Sequence, residues 1–259
     1  MDFVMSEIKV VEDMLEKGKL KDKQVSKAIP LLTKYFYQIK GMNKKQTYAA
    51  TVEFLKTANH SFREANNMFY IDKCIGYAKN VKLIDIDHIS ITKNEMDTIR
   101  SIGKRNLERL AFVVLCLCKY HRAARNSDSL WVGYEHKDIF KMARLTNGEY
   151  YNELCFHELY KLGLITPSRI SGQNAIRVEF LNEDSETALE LNDMRELSYE
   201  YLNYIGDGRF IRCKDCGVLV KVNNKDRKTC RCKQCQNIVN IQLHRERDAR
   251  YKRKATVTN

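Results

Sequence analysis

The sequence predicts a mainly α-helical protein with one to three domains. The chain has 259 residues but only 2 prolines and 11 glycines, and so few turn-forming residues favour long helices over a fold of many strands. Hydrophobic residues make up 44% and charged residues 30%, which excludes a disordered chain. Because a domain usually takes about 100–200 residues, the length leaves ample material for a buried core.

No segment indicates a membrane span or a secretory leader. The longest apolar run, Leu110–Cys118, is too short to cross a bilayer. Met1–Val10 lacks the basic stretch and following apolar stretch of a signal peptide. We therefore expect a cytoplasmic protein without a membrane partner.

The first part of the chain, residues 1–92, is predicted to form a helical domain. Ser6 and Asn43 stand where a helix needs a side chain to cap its first turn. Pro30 is expected to open a helix, because proline suits the first helical position. Aromatic residues fall at helical spacing here, which favours core positions over a stacking surface for bases. The predicted elements are helices over Ser6–Lys17, Pro30–Lys40, Asn43–Asn59 and Phe62–Lys79, then a strand within Leu83–Ile91.

Two acids and a histidine in that strand admit two interpretations. Asp85, Asp87 and His88 are ligand types with which nucleases bind a divalent ion. They also suit the solvent-exposed face of a strand that precedes a helix capped by Thr92 and Glu95. We favour this second interpretation. No P-loop, G-x-S-x-G or H-E-x-x-H pattern occurs. We therefore assign no catalytic residue and do not expect an enzyme, and a metal-dependent nuclease is the least expected function.

The middle of the chain, residues 93–181, predicts a domain of helices closed by a hairpin. An apolar face at helical spacing indicates a core helix first. Thr146 and Glu149 fit a capping box, and Gly163 suits a helix end. The predicted elements are helices over Lys104–Arg122, Lys137–Arg144 and Thr146–Leu162, then strands over Leu164–Thr166 and Ala175–Phe180.

This order of elements is that of a winged helix-turn-helix. The segment Glu158–Ile165, ELYKLGLI, strongly resembles the end of the second helix of that motif in winged-helix regulators and initiators. The resemblance covers about Asp97–Phe180 and implies that the helix Thr146–Leu162 enters a major groove of DNA. Arg169 and Arg177, in the predicted wing, would then reach phosphates.

The charge of that helix leaves an alternative open. Glu149, Glu153 and Glu158 stand against one base, Lys161, and phosphates repel acids. A winged helix can instead serve protein contact or dimerisation. We therefore keep both hypotheses for this helix.

Nearly all of the formal charge of +12 lies at one end of the chain. Arg209–Asn259 holds 15 basic and 4 acidic residues, against 30 and 29 in residues 1–208. Just before it, Leu181–Glu200 holds seven acids and one base. Such a switch indicates a boundary. We expect an acidic linker or helix over residues 182–208 and a basic module over residues 209–259.

The basic module carries a metal-ligand pattern. Cys213 and Cys216 form one C-x2-C pair, and Cys232 and Cys235 form a second pair after 15 intervening residues. This spacing is typical of a structural zinc site. Four cysteine ligands would fill the coordination shell of the ion and leave no open position for a substrate. Cys230 lacks the two-residue spacer and ranks as a spare. Without a secretory leader, disulfides are the lesser alternative.

We expect the module to be a zinc ribbon followed by a basic helix. Gly217 permits a tight turn after the first pair, and Val218–Val222 should form one strand of a hairpin that turns at Asn223–Asp226. Gln236–Lys254 should form the helix, although a solvated tail is the alternative. Its arginines suit phosphate oxygens. The candidate nucleic-acid contacts there are Arg245, Arg247, Arg250, Lys252, Arg253 and Lys254.

The whole chain resembles uncharacterised proteins of phages and mobile elements of low-GC Gram-positive bacteria. The resemblance rests on the helical N-terminal part, the winged-helix pattern of residues 93–181, and the CKDCG…CKQC knuckle followed by a basic segment. It implies a DNA-related role inside the bacterial host cell. We expect a zinc-containing protein that binds DNA, or else RNA, and regulates transcription or organises replication. A homodimer is compatible with this role. The alternative is a host-takeover or anti-defence factor that binds a host or phage protein.

Overall fold

The structure is a computed structural model that describes residues 3–169, 174–214, 216–222 and 235. In this part of the chain it has nine helices and seven short strands, which confirms the prediction of a mainly α-helical protein with small sheets. The chain divides into two compact units, residues 1–89 with 119–129 and residues 90–118 with 130–259. No described helix is long and apolar enough to cross a membrane.

Four helices build the first unit around an apolar core. The Ser6 hydroxyl accepts from the amide of Lys9 at the first turn of the first helix, as predicted. Gly18 ends that helix with a φ of +57°. Asn43 caps the third helix, also as predicted. The second helix packs against the other three and contributes Ile29 and Leu32 to the core. The helices are α1 (Glu7–Lys17), α2 (Asp22–Gln38), α3 (Lys44–Ala58) and α4 (Glu64–Ala78).

Pro30 lies inside α2 and does not open a helix, so this prediction is wrong. Because proline has no N–H, the carbonyl of Ser26 loses its helical donor. The Tyr70 hydroxyl of α4 donates to that carbonyl over 3.4 Å. Ile29 and Leu32 are fully buried beside the proline, and their packing offsets a cost of about 3 kcal/mol for an interior proline.

The strand predicted within Leu83–Ile91 is mostly wrong. Only β1 (Ile89–Thr92) is a strand. Upstream, a single bridge joins Asp85 to Ser6, and the Ser6 hydroxyl donates to the Asp85 carboxylate over 2.6 Å. Backbone hydrogen bonds from Glu7 to the Ile84 carbonyl and from Ile86 to the Met5 carbonyl, both 2.7 Å, flank this bridge.

A buried helix forms the centre of the second unit. Every residue from Leu110 to Cys118 is fully buried, so the longest apolar run is a core helix that is covered on all sides. This helix begins in the second unit, and its last turns belong to the first unit. The preceding helix begins with a capping box of Thr92 and Glu95, as predicted. These helices are α5 (Lys93–Ser101) and α6 (Arg105–Arg125).

Two helices and a three-stranded antiparallel sheet follow α6. The sheet has the order β2-β4-β3; the pairing of β3 with β4 was predicted, and β2 was not. Ile165 of β3 pairs with Val178 of β4, and both side chains are buried. The elements are β2 (Trp131–Gly133), α7 (His136–Met142), α8 (Glu149–Lys161), β3 (Ile165–Pro167) and β4 (Ala175–Val178).

The predicted capping box at the start of α8 is wrong. The helix begins at Glu149 with Gly148 at the cap, and no side chain bonds there. The Asn152 side-chain amide donates to the Asn147 carbonyl over 3.0 Å, which holds the chain in a non-helical turn before Gly148. Gly163 follows α8 with a φ of +71°, as its predicted role requires.

The acidic segment over residues 182–208 contains a strand and a helix, β5 (Thr187–Leu191), which pairs with β1, and α9 (Leu197–Tyr204). Tyr201 of α9 is fully buried, and its hydroxyl donates over 2.8 Å to the Glu108 carboxylate of α6. At the end of the segment, Asp207 pairs with Arg105 over 2.8 Å. The segment is therefore anchored to the core helix.

A substitution of Glu95 tests how much its buried hydrogen bonds stabilise the second unit. Its buried carboxylate accepts from the backbone amides of Thr92 over 2.8 Å and Asn182 over 3.0 Å. Glu95→Ala leaves both amides without this acceptor and should lower the free energy of unfolding by about 2–4 kcal/mol. Asp97→Ala, at an exposed position of the same helix, should change it by less than about 0.5 kcal/mol. Equal losses in urea denaturation would contradict this account of Glu95.

Candidate metal centre

A short hairpin carries the first cysteine pair. Its strands are β6 (Phe210–Arg212) and β7 (Leu219–Lys221), which pair antiparallel. The C-x2-C-G sequence makes the turn: the Cys213 amide donates to the Val218 carbonyl over 2.8 Å, and the Gly217 amide donates to the Cys213 carbonyl over 2.9 Å. Gly217 has a φ of +72°, a conformation that glycine adopts without strain.

The predicted strand Val218–Val222 is confirmed as β7, but its partner was missed. That partner, β6, lies before the cysteines and has only the weak signal of three residues, Phe-Ile-Arg. The predicted turn at Asn223–Asp226 lies outside the described residues.

Three of the four predicted metal ligands come together. The sulfur atoms of Cys213, Cys216 and Cys235 all lie within 4.8 Å of one another. The Sγ atoms of Cys213 and Cys235 are 3.9 Å apart, far longer than the roughly 2.05 Å of a disulfide bond. Both residues are buried in a small apolar cluster. Cys232, the predicted fourth ligand, lies outside the described residues.

This cluster is the one group of three His, Cys, Asp or Glu side chains with metal-binding geometry among the residues that the structure describes. Thiolate sulfur is a ligand that soft and borderline metal ions prefer. Two ligands come from one turn and the third from another segment, so a bound ion would tie the two segments together, as a structural metal does.

Two arginines tie the hairpin to the acidic segment. Arg212, at the end of β6, donates to both carboxylate oxygens of Glu200 over 2.6 and 3.1 Å. Arg195 donates to the Cys216 carbonyl over 2.7 Å and pairs with Asp193 over 2.6 Å. The hydrogen bond to Asp193 raises the pKa of Arg195, and burial raises the pKa of Glu200 while Arg212 opposes that rise. No local pattern in the sequence predicts these contacts.

The alternative metal site of the sequence analysis is not assembled. Asp85 accepts from the Ser6 hydroxyl, while His88 and Asp87 contact each other over 3.1 Å near the surface. In the part of the chain described, these three side chains do not form a group of ligands.

Two of the predicted nucleic-acid contacts lie in the described part of the chain. Arg169 is exposed, whereas Arg177 on β4 pairs with Glu179 over 3.0 Å, so a neighbouring carboxylate balances part of its charge. The remaining predicted contacts lie outside the described residues; they are Arg245, Arg247, Arg250, Lys252, Arg253 and Lys254.

The site is therefore a cysteine cluster on a hairpin at the start of a strongly basic segment. The hairpin is held to a helix that is itself anchored in the core of the second unit. Comparison of the chain with family models, with curated proteins and with solved structures finds no match.

The cysteine cluster predicts specific metal binding, which a titration with Co²⁺ can follow by its thiolate charge-transfer absorption. The full chain should bind one equivalent, and Cys216→Ser should weaken binding and lower the absorption per bound ion because it removes one of the clustered ligands. Cys155→Ser is the matched control: Cys155 lies in α8, where burial raises the pKa of its thiol, and its loss should leave the titration unchanged. Equal behaviour of the two variants would contradict the assignment.

Proposed function

We propose that this is a zinc-containing, non-enzymatic DNA-binding protein of a phage or mobile element, acting in transcription regulation or replication. The observation that carries the proposal is the place of the cysteine cluster. It stands at the start of Arg209–Asn259, a segment with an excess of eleven positive charges. A hairpin held by a metal ion and followed by many basic residues suits a polyanionic partner, because phosphates attract clustered lysine and arginine.

The spacing of the sulfur atoms supports zinc as the metal. Zn–S bonds of about 2.3 Å in a tetrahedron place two sulfurs about 3.8 Å apart, and those of Cys213 and Cys235 are 3.9 Å apart. Cys232 supplies the fourth thiolate by its C-x2-C spacing from Cys235. Zinc with four thiolates carries two negative charges, which leaves the basic segment with about nine positive charges.

The second unit supports the DNA-related part of the proposal. From α6 to β4 the order is helix, strand, helix, helix, strand, strand, with the antiparallel sheet β2-β4-β3; we propose that this is a winged helix-turn-helix. Residues 130–181 hold six basic and six acidic residues, so this region adds little attraction for phosphates. We assign the main DNA affinity to the basic segment.

A protein-binding role is the second candidate function. The face of α8 that a winged helix would turn to DNA exposes Tyr150 and Tyr151, and exposed aromatic side chains are typical of protein interfaces. A host protein that stays bound to the full chain after nuclease treatment, together with no DNA binding at low salt, would favour this role over the first.

The salt dependence of DNA affinity tests the proposal. If six basic residues contact phosphates, log K should fall against log salt with a slope of about −5. We call Arg245, Arg247, Arg250, Lys252, Arg253 and Lys254 the tail. Replacing these six residues by Gln should bring the slope close to zero.

The matched control for the tail is a pair of changes in the wing. Arg169→Gln with Arg177→Gln should change the slope by less than about 2. A salt-insensitive affinity, or an equal loss of affinity in the wing variant, would contradict the assignment to the tail. A parallel titration with single-stranded RNA decides between the two nucleic acids.

A further inference from the structure

The first unit carries a local positive charge, although residues 1–208 as a whole are nearly neutral. Residues 19–82 hold 13 basic and 4 acidic residues, whereas the other residues before position 209 hold 17 basic and 25 acidic ones. Helices α2, α3 and α4 all lie within residues 19–82. This part of the first unit is therefore strongly basic, and such a local excess of one charge attracts polyanions.

Exposed aromatic rings stand among these cations on α4. Helical spacing predicts core positions for the aromatic residues of the first unit, but Phe69 and Tyr77 are 82% and 56% exposed. Phe69, Lys73 and Tyr77 follow one another at intervals of four residues and so form one ridge of the helix. The Lys73 ammonium lies 5.9 Å from the centre of the Tyr77 ring, within the range of a cation–π contact. We call these three residues the α4 face.

The acids of α4 do not cancel the charge of this face. Glu64 pairs with Lys56 over 2.6 Å, and Asp72 pairs with Lys44 over 3.3 Å. Each carboxylate of α4 is therefore balanced by a lysine of α3. Within the part of the chain that the structure describes, Lys73 forms no ion pair with a carboxylate, so its charge is available to a ligand.

A cleft between α3 and α4 continues the basic surface. Its volume is about 400 Å³, and it is lined by Lys44, Lys45, Tyr48 and Asp72. Asp72 is adjacent in sequence to Lys73, so the cleft borders the α4 face. Beyond the end of the helix, Lys79 and Lys82 are exposed. Cations therefore lie on both sides of the exposed rings.

This combination favours a single strand of nucleic acid over a protein partner. Charged residues are depleted at the cores of protein interfaces. Proteins that bind single strands instead combine cations, which contact the phosphates, with aromatic rings on which the bases stack. Phe69 and Tyr77 are about 12 Å apart along the helix axis, which lets them stack on different bases of one strand. In a duplex the bases are already stacked and paired, and their faces do not reach such rings.

We infer that the α4 face and the lysines around it bind single-stranded DNA. Phe69 and Tyr77 stack on bases, and Lys73, Lys79 and Lys82 contact phosphates. The inference goes beyond the proposed function, which assigns DNA affinity to the basic segment at the other end of the chain. Only the choice of DNA over RNA rests on the proposed function.

Fluorescence anisotropy of a labelled dT oligonucleotide of about 16 nucleotides tests the inference. The parent protein is the full chain with the six tail residues replaced by Gln, which removes the contribution of the tail. Phe69→Ala should weaken binding at least about fivefold and leave the salt dependence unchanged, because it removes a stacking contact and no charge. An abasic strand of the same length should bind the parent and Phe69→Ala equally, since it has phosphates without bases.

Replacing two lysines should have the complementary effect. Lys73→Gln with Lys79→Gln should reduce the slope of log K against log salt by about 1.4, because two phosphate contacts are lost. The matched control is Tyr150→Ala, which removes an aromatic residue that is 72% exposed on the acidic helix α8. It should leave the affinity for the dT strand unchanged. Circular dichroism should show the same helix content in all variants.

Several outcomes would overturn the inference. These are a parent that does not bind the dT strand, a Phe69→Ala variant that binds as well as its parent, an equal loss in Tyr150→Ala, and tighter binding of a U oligonucleotide than of the dT strand. The two proposals can fail separately. Duplex binding that is insensitive to loss of the tail would overturn the proposed function alone, and a parent without affinity for the dT strand would overturn this inference alone.

Discussion

The ion pair between Glu200 and Arg212 is the constraint on which the position of the cysteine hairpin depends. The Glu200 side chain is only 5% exposed, and a buried carboxylate requires a charged or hydrogen-bonding partner. Arg212 supplies two hydrogen bonds and is adjacent in sequence to Cys213. Because Tyr201, next to Glu200, is bonded to the core helix α6, the hairpin is connected to the core through one short helix.

This arrangement also explains the acidic segment. Several of its carboxylates pair with individual basic side chains of the second unit. Glu196 binds Arg144 over 2.6 Å, and Asp193 binds Arg195. A hairpin of two three-residue strands is marginal by itself; the pairs from Arg212 and Arg195 and a metal ion would together hold it. The switch from acid to base along the chain therefore marks a contact within the second unit as well as a change in composition.

The sequence predicted the features whose causes are local. The caps at Ser6, Asn43 and Thr92 follow from side chains within a few residues, and all three are confirmed. Pro30 and Thr146 also carried local signals. At Pro30, packing against distant residues outweighs the local signal. At Thr146, the hydrogen bond from the Asn152 side chain to the Asn147 carbonyl holds a non-helical turn before α8.

For the candidate site, the cysteine spacing predicted the three described thiols that gather; Cys213 and Cys216 lie in one turn of the hairpin. The strand β6 could not be predicted from so short a signal. The hydrogen bond from Arg195 to Cys216 and the pair of Arg212 with Glu200 could not be predicted either, since these partners are separated by many residues without a periodic pattern. Among the aromatics of the first unit, helical spacing predicted core positions. Tyr35 and Phe36 are buried as expected, whereas Phe69 is exposed, because spacing alone does not tell which face of α4 meets the core.

The central claim is that the cysteine cluster is a structural zinc site. Zinc K-edge X-ray absorption on the full chain, together with its metal content, tests it most directly. The account predicts one zinc per chain with four sulfur neighbours at about 2.3 Å. A chain without zinc, or a first shell made mainly of nitrogen and oxygen, would contradict it.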